Sequence, residues 1–340
     1  MMTPEQETPL AVKVYSERDA DLGALRGATI AVIGYGNQGH AHALNLRDSG
    51  LKILVGQRPG GPGWRRAVGD GFAPLPIDQA IMESDLTILA LPDMAAPAVY
   101  RRHIEPHLRA GQTLGFIHGF NIHYKQIQPR DDIDVIMVAP KGAGYMVRRA
   151  FQDGRGLPAM VAVEQDASGK ALQKALSWAT GIGAGRVGII EATFAAETET
   201  DLFGEQVSVV GGVTALMKTA FEVLIEAGYE PEHAYFECVH EVKFVVDLIH
   251  SHGLSGMREH ISDTAEYGDL TRNPRIAEAV KPLMQQILAE IRSGQFAEEW
   301  IAEDRAGRPR ASKLLESERA SLLEDTGRRL RALGSAPTDA

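Results

Sequence analysis

Apolar positions recur along this chain in two rhythms, and the change between them falls near Glu191-Ala192-Thr193. Before that point, short aliphatic and β-branched runs are set apart by helix-length spacers. Thr29–Ile33, Lys52–Val55, Leu86–Leu91, Thr113–Phe116, Val135–Met137, Met160–Val163 and Arg186–Ile190 predict strands. Gln38–Asp48 and Gly169–Thr180 predict helices among them. Strands alternating with helices predict a parallel, doubly wound α/β sheet. Beyond the change the period is 3.6, and Asp201–Ala227, Pro231–His250, Arg275–Ser293 and Ser312–Leu333 predict an all-helical region. The expected organisation is an α/β domain over residues 1–192 and a helical domain over 193–338, with Gly334–Ala340 reading as a loose tail.

Composition narrows the class. At ~150 residues per domain, 340 residues suffice for two separate cores. A hydrophobic share of 44% with 24% charged residues excludes a disordered chain. No apolar run is expected to approach the ~18 residues of a membrane span. Met1–Glu7 shows neither the basic region nor the apolar stretch of a signal peptide, so no membrane partner is expected. The single Cys238 cannot pair within the chain, which fits a reducing, cytoplasmic setting. It reads as a small packing residue, because no histidine-rich motif surrounds it. A net charge of −10 argues against nucleic acid as a partner.

The most informative local pattern is Ala31-Val32-Ile33-Gly34-Tyr35-Gly36-Asn37-Gln38-Gly39-His40. A strand feeds Gly34-x-Gly36-x-x-Gly39 and a helix begins at once, which is the fingerprint of a Rossmann dinucleotide site. Gly34 permits the tight turn, Gly36 lets a pyrophosphate approach the backbone, and Gly39 allows close helix–strand packing. The helix N-terminus offers free N–H groups to the anion. The second strand ends in Val55-Gly56-Gln57-Arg58, without the acid that an NAD-selective site places there. Arg58, with Arg65 and Arg66 close behind, suits a 2′-phosphate instead, although a solvated basic surface would read the same way.

Two acidic pairs stand out in the helical half, Asp201 with Glu205 and Glu237 with Glu241. Residues four apart share one helix face, where like charges repel and a cation would relieve them. With 45 acids in the chain, about six such pairs arise by chance, so spacing alone leaves a solvated face open. Their neighbours are apolar, and an acid buried without a partner is costly. Four carboxylates converging on one point would suit two Mg²⁺. His118 and Lys141 each follow a predicted strand at the carboxyl edge, where doubly wound sheets bind ligands. Ser262 lies in Ile261-Ser262-Asp263-Thr264-Ala265-Glu266-Tyr267-Gly268. For each of the three, taken alone, a structural role is as open as a catalytic one.

Together these segments resemble acetohydroxy acid isomeroreductase, or ketol-acid reductoisomerase, over nearly the whole chain. The resemblance rests on Gly34–Ala43, His118-Gly119-Phe120-Asn121-Ile122-His123, Glu197–Gln206, Ala234-Tyr235-Phe236-Glu237-Cys238, Thr264–Gly268 and Asn273-Pro274-Arg275. It implies the short form of that family, with a Rossmann domain followed by one knotted helical domain. It implies that Asp201 and Glu205 bind Mg²⁺ and that Glu237 and Glu241 come from the partner subunit of a homodimer or higher oligomer. It further implies that His118 and Lys141 are catalytic, and that Ser262 contacts substrate. Tyr35, Gly36, Asn37, Gln38, Arg58, Asp93 and Gly144 would meet the cofactor.

The implied reaction is Mg²⁺-dependent alkyl migration in a 2-aceto-2-hydroxy acid, followed by hydride reduction, in branched-chain amino acid biosynthesis. This chain departs from the family pattern where two serines usually hold the 2′-phosphate; Gly61 and Gly63 stand there, and Arg58 remains. That predicts use of both NADPH and NADH. Ala96 replaces a usual glutamine, Gly142-Ala143-Gly144 a usual Gly-Pro-Gly, and Asp263 a common asparagine. Two rivals make different demands: a metal-independent Rossmann reductase would keep its activity under chelation, and a nucleotide sensor would not turn over acetolactate.

Overall fold

The structure, a computed structural model, describes residues 10–333. The tail expected at Gly334–Ala340 and the start at Met1–Glu7 lie outside them. The chain forms two compact units, divided after Thr198.

The first unit is built on one eight-stranded sheet: β1 (Val14–Tyr15), β2 (Thr29–Ile33), β3 (Lys52–Gly56), β4 (Leu86–Leu89), β5 (Thr113–Phe116), β6 (Asp134–Pro140), β7 (Ala159–Gln165) and β8 (Ile189–Glu191). Their order is β1-β8-β7-β6-β5-β4-β2-β3. Alternate residues of the inner strands enter opposite cores, as a period of two requires. Ile30 and Val32 pack with Ile136, Val138 and Trp178. Ala31 and Ile33 pack on the other face with Leu114, Val135 and Met137. A sheet covered on both faces is why these runs read as continuously apolar.

The sheet is mixed, which corrects the expectation of an all-parallel one. Strands β2 to β6 are parallel, but β7 runs antiparallel to β6 and β1 antiparallel to β8. Hydrophobic spacing reports a strand and its faces, not its direction. Strand β8 also starts later than Arg186, because Ala184–Arg186 forms a 3₁₀ turn and Gly188 takes φ +152°.

The second unit holds only helices among its described residues. Gly211–Glu226, Val242–Arg258 and Asp263–Ser293 are the longest. The last begins twelve positions before the expected Arg275, because Ser262 caps it and Pro274 and Pro282 are tolerated within it. The segment expected as Ser312–Leu333 is two helices, Pro309–Arg319 and Leu322–Leu333, and Gln295–Arg305 is a further helix not foreseen. Two segments widen into π turns, Glu205–Val209 and Phe236–His240. Phe221, Ala234 and Tyr235 form a small core with Leu224, Leu323 and Leu330. Much apolar surface stays exposed, including Leu216, Val246, Leu254 and Leu283. The helical run Phe194–Glu226 is long and apolar enough by length and composition to cross a membrane, contrary to the expectation that no segment would be.

Candidate active site

The glycine turn has a steric reason at each position. Gly34 sits at φ +102°, and a Cβ there would stand 2.2 Å from the Ala90 carbonyl oxygen. A Cβ on Gly39 would stand 2.2 Å from the Gly34 oxygen, so the first turn of α1 (Asn37–Asp48) can lie close to β2 only with glycine. Gly36 caps α1 and faces open space, with nothing within 4 Å of its Cβ position. Its first-turn N–H groups are therefore accessible to an anion. Tyr35 is buried and donates through its hydroxyl to Asp70 Oδ2 (3.0 Å), while Gln38 Nε2 donates to the Gly142 oxygen (2.9 Å). Asn37 is exposed, and its carbonyl is the reason for glycine at 144, whose Cβ would come within 2.1 Å of it.

From this turn a cleft of about 310 Å³ extends along the carboxyl ends of β4 and β5. Gly36, Gln38, Asp93, Ala96, His118 and Asn121 line it. Asn121 Nδ2 donates to Asp93 Oδ1 at 3.4 Å. On the other side of the turn, β3 ends at Gly56 and the chain passes through Gln57 and the exposed Arg58. Gly61 then caps the helix Pro62–Gly69, and Gly63 lies in its first turn.

His118 and Lys141 meet on a residue that the sequence left without a role. Glu197 is 1% exposed, and its carboxylate receives Lys141 Nζ (2.8 Å) and the Gly119 backbone N–H (3.1 Å). His118 Nδ1 stands 3.0 Å from Oε2, the oxygen that also accepts from Gly119, while Lys141 holds Oε1. Burial alone would raise this carboxyl's pKa, but the hydrogen bond and charge of His118 and the charge of Lys141 outweigh it and hold the group at about 2. Gly119 makes the approach possible, since a Cβ there would stand 2.3 Å from Thr198 Oγ1. The signal in the sequence was the recurrence of acids at 197, 201 and 205, one helical turn apart.

Asp201 lies in the helix Phe194–Gly204, and Glu205 opens the π turn that follows. Glu237 lies in the second π turn, and Glu241 follows it directly. Glu205, Glu237 and Glu241 are exposed and Asp201 is half-buried, so the expected cost of burying them is not incurred in one chain. Among the described residues, the pair Glu237–Glu241 joins no acidic cluster with Asp201 and Glu205. Ser262 is exposed and caps the helix Asp263–Ser293, its Oγ accepting from the Ala265 N–H (3.2 Å). Cys238 is half-buried, less enclosed than its sequence neighbours suggest.

Comparison with known proteins gives a consistent result. The family described as "Acetohydroxy acid isomeroreductase, NADPH-binding domain" matches residues 24–188, and "Ketol-acid reductoisomerase, C-terminal domain" matches 194–335. The chain is 52% identical over 327 residues to a ketol-acid reductoisomerase (NADP(+)) of Saccharopolyspora erythraea, covering 96% of this chain and 98% of that protein. It superposes with TM-score 0.92 on the structure of an NADH-preferring ketol-acid reductoisomerase from an uncultured archean. There the identity is 44%, over 95% of this chain and 100% of that one. A structure described as a putative oxidoreductase from Jannaschia sp. CCS1 shares the fold alone, with TM-score 0.59 and 15% identity over 78% of this chain and 97% of its own.

Proposed function

Because the chain belongs to the ketol-acid reductoisomerase family, an NAD(P)H-dependent class of oxidoreductase, we propose that it isomerises and reduces 2-aceto-2-hydroxy acids with Mg²⁺. The substrates would be 2-acetolactate and 2-aceto-2-hydroxybutyrate, and the products 2,3-dihydroxy-3-methyl acids of branched-chain amino acid biosynthesis. The observation that carries the reading is the buried Glu197 joined to His118 and Lys141, with His118 lining the cleft that opens from the glycine turn.

The residues present fit the metal. Asp201, Glu205, Glu237 and Glu241 offer only hard oxygen donors, as Mg²⁺ prefers. Each pair is one helical turn apart and touches a π turn, a distortion that concentrates at functional sites. Bound there, two Mg²⁺ would supply Lewis-acid polarisation of the substrate's oxygens, and the nicotinamide would supply hydride. The rest falls to the chain. Glu197, ionised throughout the neutral range, pairs with Lys141 and engages His118 Nδ1, leaving Nε2 on the far edge of the ring. Lys141 is then a fixed positive charge for an oxygen that becomes anionic, and His118 a proton carrier beside it. The residues at 35–38, Arg58, Gly61, Gly63, Asp93 and Gly144 hold the cofactor, and Ser262 meets substrate through the hydroxyl hydrogen its capping bond leaves over.

A second copy of this chain is the partner. The helical unit exposes more apolar side chains than a lone domain normally shows, and Glu237 and Glu241 would complete the other copy's site. We place the enzyme in the cytoplasm, in keeping with a lone cysteine and a biosynthetic role. Acetolactate-dependent oxidation of nicotinamide should vanish with EDTA and return with Mg²⁺; activity that survives chelation would indicate a metal-independent reductase.

A further inference from the structure

In a doubly wound sheet, the residue that follows the second strand of the first βαβ unit stands beside the ribose of the cofactor's adenosine half. Here the strand is β3 and the residue is Gln57. Its backbone is fixed by the Leu75 oxygen, which accepts from the Gln57 N–H at 2.9 Å. Its side chain reaches back to the glycine turn, where the amide oxygen accepts from the Tyr35 N–H (2.6 Å) and the Gly34 N–H (3.2 Å). With the oxygen so engaged, its NH₂ group faces the opposite way. That side of the amide lies against Gly63. A Cβ built on Gly63 would stand 2.6 Å from the nearer terminal atom of Gln57 and 2.9 Å from its amide carbon. Glycine at 63 and glutamine at 57 are therefore one arrangement, since any side chain at 63 must push the glutamine aside.

The segment that follows offers donors. Gly61 and Gly63 open the helix Pro62–Gly69, whose first N–H groups point out of its N-terminus. Arg58 is exposed beside them. We propose that Gln57, seated against Gly63, is the residue that reads the cofactor's 2′ position. It is a neutral donor that serves a 2′-phosphate and a 2′-hydroxyl alike. A carboxylate at this place would accept from the hydroxyl and repel the phosphate; a serine at 63 would favour the phosphate. The glutamine donates to an oxygen that both ligands carry, so it discriminates little between them. This inference rests on the reading of the turn as an NAD(P)H site.

Binding of 2′,5′-ADP and 5′-ADP to the full chain, measured by calorimetry, isolates the ribose site from nicotinamide and substrate. Gln57→Glu keeps one oxygen for Tyr35 and places charge where the donor stood. It should lower the affinity for 2′,5′-ADP relative to 5′-ADP by about tenfold or more. Gln57→Leu should weaken both ligands by roughly three- to tenfold and leave their ratio nearly unchanged. Gly63→Ser should have a different effect on the ratio in the Gln57→Leu background than alone, because the two positions share space. A Gln57→Glu ratio within about twofold of the parent, with both ligands still bound, would overturn the assignment and leave the glutamine a brace for the turn. Binding of neither nucleotide to the parent chain would instead overturn the cofactor reading itself, and the assignment with it.

Discussion

Glu197→Gln keeps the size of the side chain and removes its charge, so it isolates what the buried carboxylate contributes. In the folded chain this group titrates at about 2, against an ordinary 4.5. A difference of that size corresponds to roughly 3 kcal/mol of stability at neutral pH. The figure agrees with the ~3–5 kcal/mol typically lost when one member of a buried ion pair is removed. The sign follows from the direction of the shift. The folded-state pKa is depressed, so the contribution is complete above the unfolded pKa of 4.5 and fades as pH falls toward 2. Guanidinium unfolding of both proteins, followed by circular dichroism, should show the variant less stable by about 3 kcal/mol at pH 7. The gap should narrow as pH is lowered below 4.5. Turnover should fall at least ~100-fold, because Lys141 and His118 lose the anchor that orients them. A gap under about 1 kcal/mol at pH 7, or one that does not shrink with acid, would refute the argument.

Other consequences are as concrete. Asp201→Asn should abolish turnover at saturating Mg²⁺ while nicotinamide binding, read by cofactor fluorescence, survives. Reduction of a pre-rearranged 2-keto-3-hydroxy acid should need less Mg²⁺ than the full reaction, measured as the half-saturating metal concentration. Mixing Asp201→Asn with Glu241→Gln subunits should restore activity after subunit exchange, because one site in each mixed dimer then carries no defect. No recovery after verified exchange would mean that each chain builds its own site. Arg58→Ala should lower the NADPH to NADH ratio of kcat/KM by about 10-fold, the worth of one charge-assisted hydrogen bond to phosphate. Serine at 61 should raise it, and serine at 63 should do so only at the expense of Gln57.

What the sequence disclosed, and what it withheld, follows from which physical requirement each residue meets. The glycine turn was legible because its demands are local: Gly34 needs a positive φ, and Gly39 sits where any Cβ strikes the Gly34 oxygen. The strand β2 was legible as a continuously apolar run, which fits its burial on both faces. The antiparallel β7 was not, because period-two spacing is identical for either direction. Glu197 stood inside a motif without a role, since acids one turn apart on a helix also read as a solvated face. Its burial depends on His118 and Lys141, far away in sequence and joined to it only by the fold. The acids of the helical half show the converse. Their apolar neighbours suggested burial, yet Glu205, Glu237 and Glu241 are exposed, because a single chain leaves much of that unit's apolar surface uncovered. Ser262 shows how one residue can satisfy a local rule and a distant one, capping a 31-residue helix whatever else it touches.

We propose an Mg²⁺-dependent ketol-acid reductoisomerase whose 2′ site holds a neutral glutamine and two glycines in place of serines or an acid. Steady-state kinetics with 2-acetolactate, Mg²⁺ and each reduced cofactor in turn test it most directly. The enzyme should turn over with both NADPH and NADH, with a kcat/KM ratio below ~100, or under ~2.7 kcal/mol of discrimination. A ratio in the thousands would mean that backbone groups replace the serine hydroxyls fully. Absence of acetolactate-dependent oxidation with either cofactor would contradict the proposed activity itself.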